Sequence, residues 1–265
     1  MHDPLSIDPR AAAAENANRT LRALCRDLAA GQLRLDDFDP GIVAELREVL
    51  ADVEPQRDSF AYAGVGSRRT PPEILAAMAD IAQTLGDAGT ALSTGGADGA
   101  DKAFETGALR TDAPITVHTP WPGYNGYRPG RDPEKDLDVV HPKSTETLQG
   151  RAYAELAREH HPYWNRCGRG ARALFVRNVS ILAGALDGEG GTLPVRAVIA
   201  YTPNGLPVGR EAAGTGHTLR TAASLHVPCV NLSRRTPPER NAAALAAVPA
   251  IVRDAILGRV PGLPR

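Results

Sequence analysis

Short apolar runs alternate with longer amphipathic stretches from residue 60 onward. The runs predict buried strands, and the stretches, which space apolar residues three or four apart, predict helices. The predicted strands are 60–64, 90–92, 114–118, 195–201 and 227–232. The predicted helices are 70–88, one from 100, 145–159, 172–186, 219–225 and one from 236 to about 257. This alternation predicts an α/β fold with a Rossmann-like, doubly wound and mainly parallel sheet.

The apolar pattern of the first 57 residues predicts a small helical segment that is separate from this domain. Two stretches in it, 11–30 and 40–53, carry apolar residues on one helical face. The Rossmann-type domain is then expected over 58–265, with an insertion at about 120–170.

Composition and charge exclude several classes of protein. The chain has 265 residues and a net charge of −1, so a polyanion is expected to bind only at a local basic site. Cys25, Cys167 and Cys229 are far apart and form no CxxC pair, which favours a reduced, cytoplasmic protein. No apolar run approaches the roughly 18 residues of a membrane helix, so we expect no contact with a membrane.

Glycine-rich stretches follow three of the predicted strands, at 64–68, 95–99 and 214–218. A glycine turn between a strand and a helix presents backbone N–H groups and a helix N-terminus, which suits a phosphate. A turn that holds no ligand is the alternative, because the second stretch matches neither the dinucleotide fingerprint nor a P-loop. Since ligands bind at the carboxyl ends of strands in such sheets, the three turns are expected to converge on one cleft.

Four motifs, in order along the chain, resemble a known family. They are Gly64-x-Gly66-Ser67-Arg68, Ser93-x-Gly95-Gly96-Ala97-x-Gly99-x-Asp101, Phe175-x-Arg177-Asn178-x-x-Ile181-Leu182-Ala183-Gly184, and Gly214-Thr215 with Thr218. Together they resemble the Rossmann core of DNA-processing protein A (DprA/Smf), within the superfamily that includes the lysine-decarboxylase-like LOG phosphoribohydrolases. The resemblance covers about residues 58–232, so the chain is similar to a short, stand-alone member.

The resemblance implies a pocket that holds DNA phosphates or a nucleotide. The residues that would line it by position are Gly66, Ser67, Arg68, Gly95, Gly96, Ala97, Arg177, Asn178, Gly214, Thr215 and Thr218. The glycine stretches themselves add Asp98, Gly99, Gly216 and His217 as phosphate-binding candidates.

The same resemblance raises the question of catalysis. The LOG enzymes carry PGGxGTxxE, whose Glu helps to cleave a ribosyl bond, and Thr218 stands at that position here. A hydroxyl group cannot act as the general base, so the sequence favours binding over catalysis. Asp101, Glu105 and Glu211 remain candidate catalytic carboxylates, although the first two also suit the positive end of a helix dipole. We expect no metal site and no required cofactor, with a nucleotide as the ligand.

The insertion concentrates aromatic and basic residues. Six of the twelve aromatic residues of the chain lie between Trp121 and Trp164, and 151–177 carries six arginines against two glutamates. One hypothesis is a lid whose rings stack on bases, with Trp121, Tyr124 and Trp164 as candidates. The other hypothesis is an insertion that packs on itself.

These patterns predict a protein that binds a nucleotide or a single-stranded nucleic acid, and the resemblance implies a role in DNA processing or recombination. The alternatives are a nucleoside-phosphate N-glycosidase of the phosphoribohydrolase type and a sensor of a nucleotide-derived ligand. A homodimer is compatible with each of these functions.

Overall fold

A computed structural model describes residues 59–143, 146–188, 191–209, 211–260 and 263 of the chain. The helical segment predicted over 1–57 therefore lies outside the described residues. No helix in the described part of the chain is long and apolar enough to cross a membrane.

A seven-stranded sheet forms the centre of the described domain, and its strand order is β4-β5-β3-β2-β1-β8-β9. Its strands are β1 (Ala61–Gly66), β2 (Ala91–Thr94), β3 (Ile115–His118), β4 (Gly130–Asp132), β5 (Leu137–Val140), β8 (Val195–Tyr201) and β9 (Cys229–Asn231). All neighbours are parallel except β4, which runs antiparallel to β5. Two further short strands, β6 (Ala185–Leu186) and β7 (Thr192–Leu193), pair with each other. The predicted Rossmann-like α/β fold is confirmed.

Helices cover both faces of this sheet. They are α1 (Pro72–Asp87), α2 (Ala100–Ala108), α3 (Leu148–Glu159), α4 (Arg169–Ala183), α5 (Ala213–Ser224), α6 (Pro238–Ala247) and α7 (Ala250–Arg259), with short 3-10 turns at Tyr124–Gly126 and Trp164–Arg166. Helices α1, α2, α6 and α7 pack on one face, and α4 and α5 pack on the other. The alternation along β1 shows the two faces, because Tyr62 joins the first core and Ala63 joins the second.

The strand order reverses between β1 and β8. From β1 the chain builds outward through β2, β3 and β5, and then returns to place β8 on the other side of β1. Gly66 at the end of β1 lies in register with Tyr201 at the end of β8. The crevice beyond these two residues is where a doubly wound sheet binds its ligands.

Several element boundaries differ from the sequence prediction. Strands β4 and β5, in the stretch 130–140 for which no strand was predicted, form one edge of the sheet, and helix α5 begins at Ala213 rather than at 219. Helix α4 ends at Ala183 rather than 186, because Gly184 takes a φ of 135° at a point where a Cβ atom would meet the Leu193 carbonyl. The C-terminal helix is split into α6 and α7 at Pro249, whose ring cannot continue a helix interior.

The outer edge of the sheet at β9 is closed by one side chain. The Asn241 amide accepts from the Asn231 N–H at 3.1 Å and donates to the Asn231 carbonyl at 2.8 Å. Both asparagines are buried. Because the side chain satisfies the groups that a further strand would pair with, it blocks extension of the sheet at that residue.

Candidate functional site

An ion pair crosses the carboxyl edge of the sheet above β2. Arg177 on α4 donates from Nη1 to Oδ2 of Asp101 on α2 at 3.2 Å, and the two side chains are only 8% and 5% exposed. The two helices pack on opposite faces of the sheet, so the pair joins both layers. A Cβ atom on Gly95 would collide with the guanidinium, which explains why this position has no side chain.

Amide groups from the first two glycine stretches converge on the Asp101 carboxylate. The Ala97 N–H donates to its Oδ2 atom at 3.2 Å, next to the Arg177 contact. Burial raises the pKa of Asp101, whereas Arg177 and the Ala97 and Gly66 amides lower it. The Asp101 carboxylate thus occupies the place at which a ligand anion would bind. The Ala97 N–H and the Arg177 Nη1 group already donate to it.

Two further glycines of this turn are required by packing inside the chain. Gly96 has a φ of +64°, and a Cβ atom there would lie 2.7 Å from the Tyr127 ring. Gly99 has a φ of +84°, and a Cβ atom there would lie 2.8 Å from the Ser67 carbonyl and from the Arg68 Cα atom. The loops after β1 and β2 are therefore in direct contact.

Arg68 and Arg177 meet at the ring of Tyr124. Arg68 donates from Nη2 to the Tyr124 hydroxyl at 3.2 Å, and the Arg177 Cζ atom lies 6.0 Å from the ring centroid. Trp121 packs edge-on against the same ring, with centroids 5.3 Å apart. The ends of β1 and β2, helix α4 and the insertion thus meet at one place.

The third glycine stretch forms a helix, so the prediction of a turn at 214–218 is wrong. Gly214 and Gly216 lie in the first turns of α5. Gly216 has no side chain because a Cβ atom would lie 2.6 Å from the Pro207 carbonyl. The stretch still reaches the edge of the sheet, since Asn178 donates to the Gly214 carbonyl at 3.1 Å.

Two hydroxyl groups and a ring of this stretch are buried. Thr215 and Thr218 are at most 9% exposed, and Thr218 donates to the Gly214 carbonyl at 3.4 Å. His217 is fully buried, and its Nε2 atom donates to the Ala157 carbonyl of α3 at 3.0 Å. Burial lowers the pKa of His217 to about 4. The ring therefore packs between helices and does not reach the carboxyl edge.

The three candidate carboxylates have different surroundings. Asp101 is held by Arg177, and Glu105 is buried, where it accepts from Lys102 Nζ at 3.0 Å and from the Tyr127 hydroxyl. Glu211 is exposed ahead of α5. Of the three, only Glu211 has a carboxylate open to a ligand.

The three candidate stacking rings also differ. Tyr124 is buried, and Trp164 is half-buried against Phe175, with the Arg172 guanidinium 5.5 Å above its ring. Trp121 is 41% exposed. Trp121 is therefore the one of the three that presents a ring to solvent.

A buried hydrogen-bond network beneath the site escaped the sequence reasoning. His118 lies at the end of β3, and its Nε2–H donates to the Gly184 carbonyl at 3.1 Å and to Ser93 Oγ at 3.0 Å. The Gly184 carbonyl can only accept a hydrogen bond, so the ring proton lies on Nε2. The Nδ1 atom therefore accepts from Ser180 Oγ at 2.7 Å. Burial and, to a smaller extent, the Arg177 charge lower the pKa of His118 to about 3, against the hydrogen bond to the Gly184 carbonyl, which raises it. The one sequence signal for this network is a histidine at the end of an apolar strand.

Tyr201 and Asn125 also escaped the sequence reasoning. Tyr201 lies beside Gly66 at the reversal of strand order, and Asn125 donates to the Gly96 carbonyl at 3.0 Å. Neither belongs to a glycine stretch or a quoted motif, so only the strand order and the fold of the insertion bring them to the edge.

The described residues contain no group of three or more His, Cys, Asp or Glu side chains that could hold a metal ion. Two concavities have no residue of the loops after β1 and β2 in their lining. An open groove of about 830 Å³ follows the end of α3 to Arg166, and a cavity of about 440 Å³ follows β9.

No family model, curated protein or solved structure matches the chain. The resemblance to the DprA/Smf core therefore stays a prediction that rests on the four motifs. The fold itself is a Rossmann-like α/β arrangement with its motifs at the carboxyl edge of a mostly parallel sheet.

Because the ion pair lies directly over Gly95, we expect even a methyl group at this position to lower the stability of the protein. Gly95→Ala displaces the Arg177 guanidinium and leaves a buried carboxylate unpaired, which should lower the free energy of unfolding by about 3–5 kcal/mol. Gly258→Ala is the control, because this helical position has open space around it and should gain about 0.4–1 kcal/mol. Urea unfolding measures both. Equal stabilities of Gly95→Ala and the parent would contradict the account of the pair.

The buried histidines predict a loss of stability in mild acid. Their pKa values, about 3 for His118 and about 4 for His217, lie below the unfolded value of 6.5. Both rings are neutral when folded, so the unfolded chain takes up protons first as the pH falls. Each group should contribute a loss of about 1.4 kcal/mol per pH unit from about 6.5 down to its folded pKa.

Urea unfolding between pH 7 and pH 4.5 tests this expectation, together with NMR titration of the histidine rings. The His118 and His217 signals should stay unchanged from pH 8 to about 5, because both folded pKa values lie below this range. Titration of His118 near its ordinary pKa would refute the buried network.

Proposed function

We propose that this protein binds the phosphate groups of a nucleotide or of a single-stranded nucleic acid at the carboxyl edge of its sheet. The observation that carries the proposal is the convergence of Arg68 and Arg177 on Tyr124, beside the turn that ends β2. Two guanidinium groups and a helix N-terminus at one edge attract anions.

Arg68 is the principal phosphate contact in this proposal. It is exposed, and it makes no ion pair with any described residue. Gly99 lies against the Arg68 backbone, and the Asp98 and Gly99 N–H groups donate to no acceptor within the described part of the chain. Arg177 is compensated by Asp101, so its part is to position Tyr124 and the loop rather than to supply the main charge.

Trp121 supplies the base contact. Its ring is exposed, and the buried Tyr124 ring supports it from below at 88°. A supported, exposed ring close to a phosphate contact is the arrangement on which bases stack without regard to sequence.

Binding rather than cleavage is part of the proposal. Asp101 and Glu105 are buried and already paired with cations, so neither is placed to act as a base toward a ligand. Within this proposal the protein acts in the cytoplasm on a nucleotide-bearing partner, as the DprA/Smf resemblance implies, with DNA processing or recombination as the setting.

Arg68→Ala tests the phosphate contact. A charged hydrogen bond contributes about 1.5–3 kcal/mol, so a fluorescent oligothymidylate should bind about 10-fold more weakly or worse, with a flatter salt dependence. The melting temperature should not change, because Arg68 is exposed. Arg110→Ala is the matched control, since Arg110 is exposed just beyond the opposite end of α2. If neither the oligonucleotide nor any nucleoside monophosphate binds the parent protein, the proposed function fails.

Trp121→Ala tests the base contact separately. Loss of one stacked base should weaken oligothymidylate binding by about 1–3 kcal/mol and leave the melting temperature nearly unchanged. Trp164→Ala is the comparison, because its ring packs on Phe175 and its loss should lower stability instead of affinity. Lost stability with unchanged affinity for Trp121→Ala would mean that the insertion only packs on itself.

A further inference from the structure

The cavity of about 440 Å³ lies along the edge strand β9, between helices α5 and α6. Its walls are mainly apolar, with Leu219 and Ala223 from α5, Ala244 from α6, and Val227 ahead of β9. Its volume falls in the range of roughly 300–1,000 Å³ that small-molecule sites occupy. None of its lining residues belongs to the proposed phosphate site, so it is a separate feature of the fold.

Two arginines, Arg220 and Arg240, belong to the lining of this apolar cavity, and its described lining holds no carboxylate. Arg220 is fixed by carbonyl groups alone, with Nη1 donating to Pro207 at 2.6 Å and Nε and Nη2 donating to His160 at 3.3 and 3.2 Å. Arg240 lines the cavity from α6 and makes no ion pair with a described residue. The cavity therefore carries positive charge without a compensating anion among the described residues.

The floor of the cavity adds neutral polar groups. Successive residues of a strand point their N–H and C=O groups to opposite sides, so those of Cys229 and Asn231 face away from β8. Asn241 satisfies the groups of Asn231, and those of Cys229 remain at the open edge. The Cys229 thiol donates to the Val227 carbonyl at 3.3 Å and is neutral, since burial raises its pKa to about 12.

We propose that this cavity binds a small amphiphilic carboxylate, with the acid group between Arg220 and Arg240 and an aliphatic body against Leu219, Ala223 and Ala244. Guanidinium groups without a paired carboxylate favour binding of the ligand's carboxylate, and the apolar walls favour burial of its aliphatic chain. The site is independent of the proposed nucleotide function.

Octanoate is the probe, and octanol of the same chain length is the uncharged comparison. Calorimetric titration of the full chain should show octanoate binding, accompanied by a rise in melting temperature, and octanol should bind about 10-fold more weakly or worse. Arg240→Gln should weaken octanoate binding about 10-fold, because Arg240 is exposed and its loss spares the fold. Arg259→Gln is the control, since it makes the same change of net charge outside the cavity lining.

Ala244→Leu tests the apolar wall. The position is half-buried, so the larger side chain should occupy the cavity and abolish octanoate binding without unfolding the protein. Ala223→Leu on the opposite wall is exposed and serves if Ala244→Leu lowers the melting temperature. The proposal is overturned if octanoate does not bind up to about 10 mM. It is also overturned if octanol binds equally well, or if Arg259→Gln weakens binding as much as Arg240→Gln.

Discussion

The ion pair between Arg177 and Asp101 is the interaction on which the rest of the carboxyl edge depends. It spans the end of β2 and joins the two helical layers, so Gly95 beneath it has room for no side chain. Removal of two charges from water is costly, and apolar replacements of buried pairs are often at least as stable. The pair therefore contributes by fixing one geometry of the site. In this geometry the Arg177 guanidinium lies near the Tyr124 ring, and the Tyr124 hydroxyl accepts a hydrogen bond from Arg68.

The same pair decides which groups a ligand can use. A glycine turn ahead of a helix offers amides to an anion, but here the Ala97 amide donates to the protein's own carboxylate. The groups left for an external phosphate are the amides of Asp98 and Gly99 and the guanidinium of Arg68. In the proposed function these groups contact the phosphate, and the exposed Trp121 ring contacts the base.

The edge strand β9 has unpaired backbone groups that must be satisfied in another way. An edge strand exposes unpaired backbone groups, and β9 covers those of Asn231 with the Asn241 amide. Helices α5 and α6 then flank the strand and leave an apolar cavity with two arginines in its lining. Closure of a sheet edge and formation of a charged apolar cavity are here consequences of the same packing.

The sequence by itself determined the class of fold and the position of most candidate residues along it. Apolar runs of strand length that alternate with helical periodicity suffice for a parallel α/β sheet, because both patterns are local. Ser67, Arg68 and Gly95–Gly99 follow from this, since residues after parallel strands share one edge. Arg177 and Asn178 lie inside α4, and only the resemblance predicted them at this edge. Tertiary structure alone decided the rest. Gly216 resembles a turn glycine in sequence, but it serves the close approach of Pro207 to a helix. His217, next to it, is buried against α3, and Asp101 occupies the cradle that the glycines predicted for a ligand. These outcomes depend on which distant atoms lie next to a residue, and local periodicity carries no information about them.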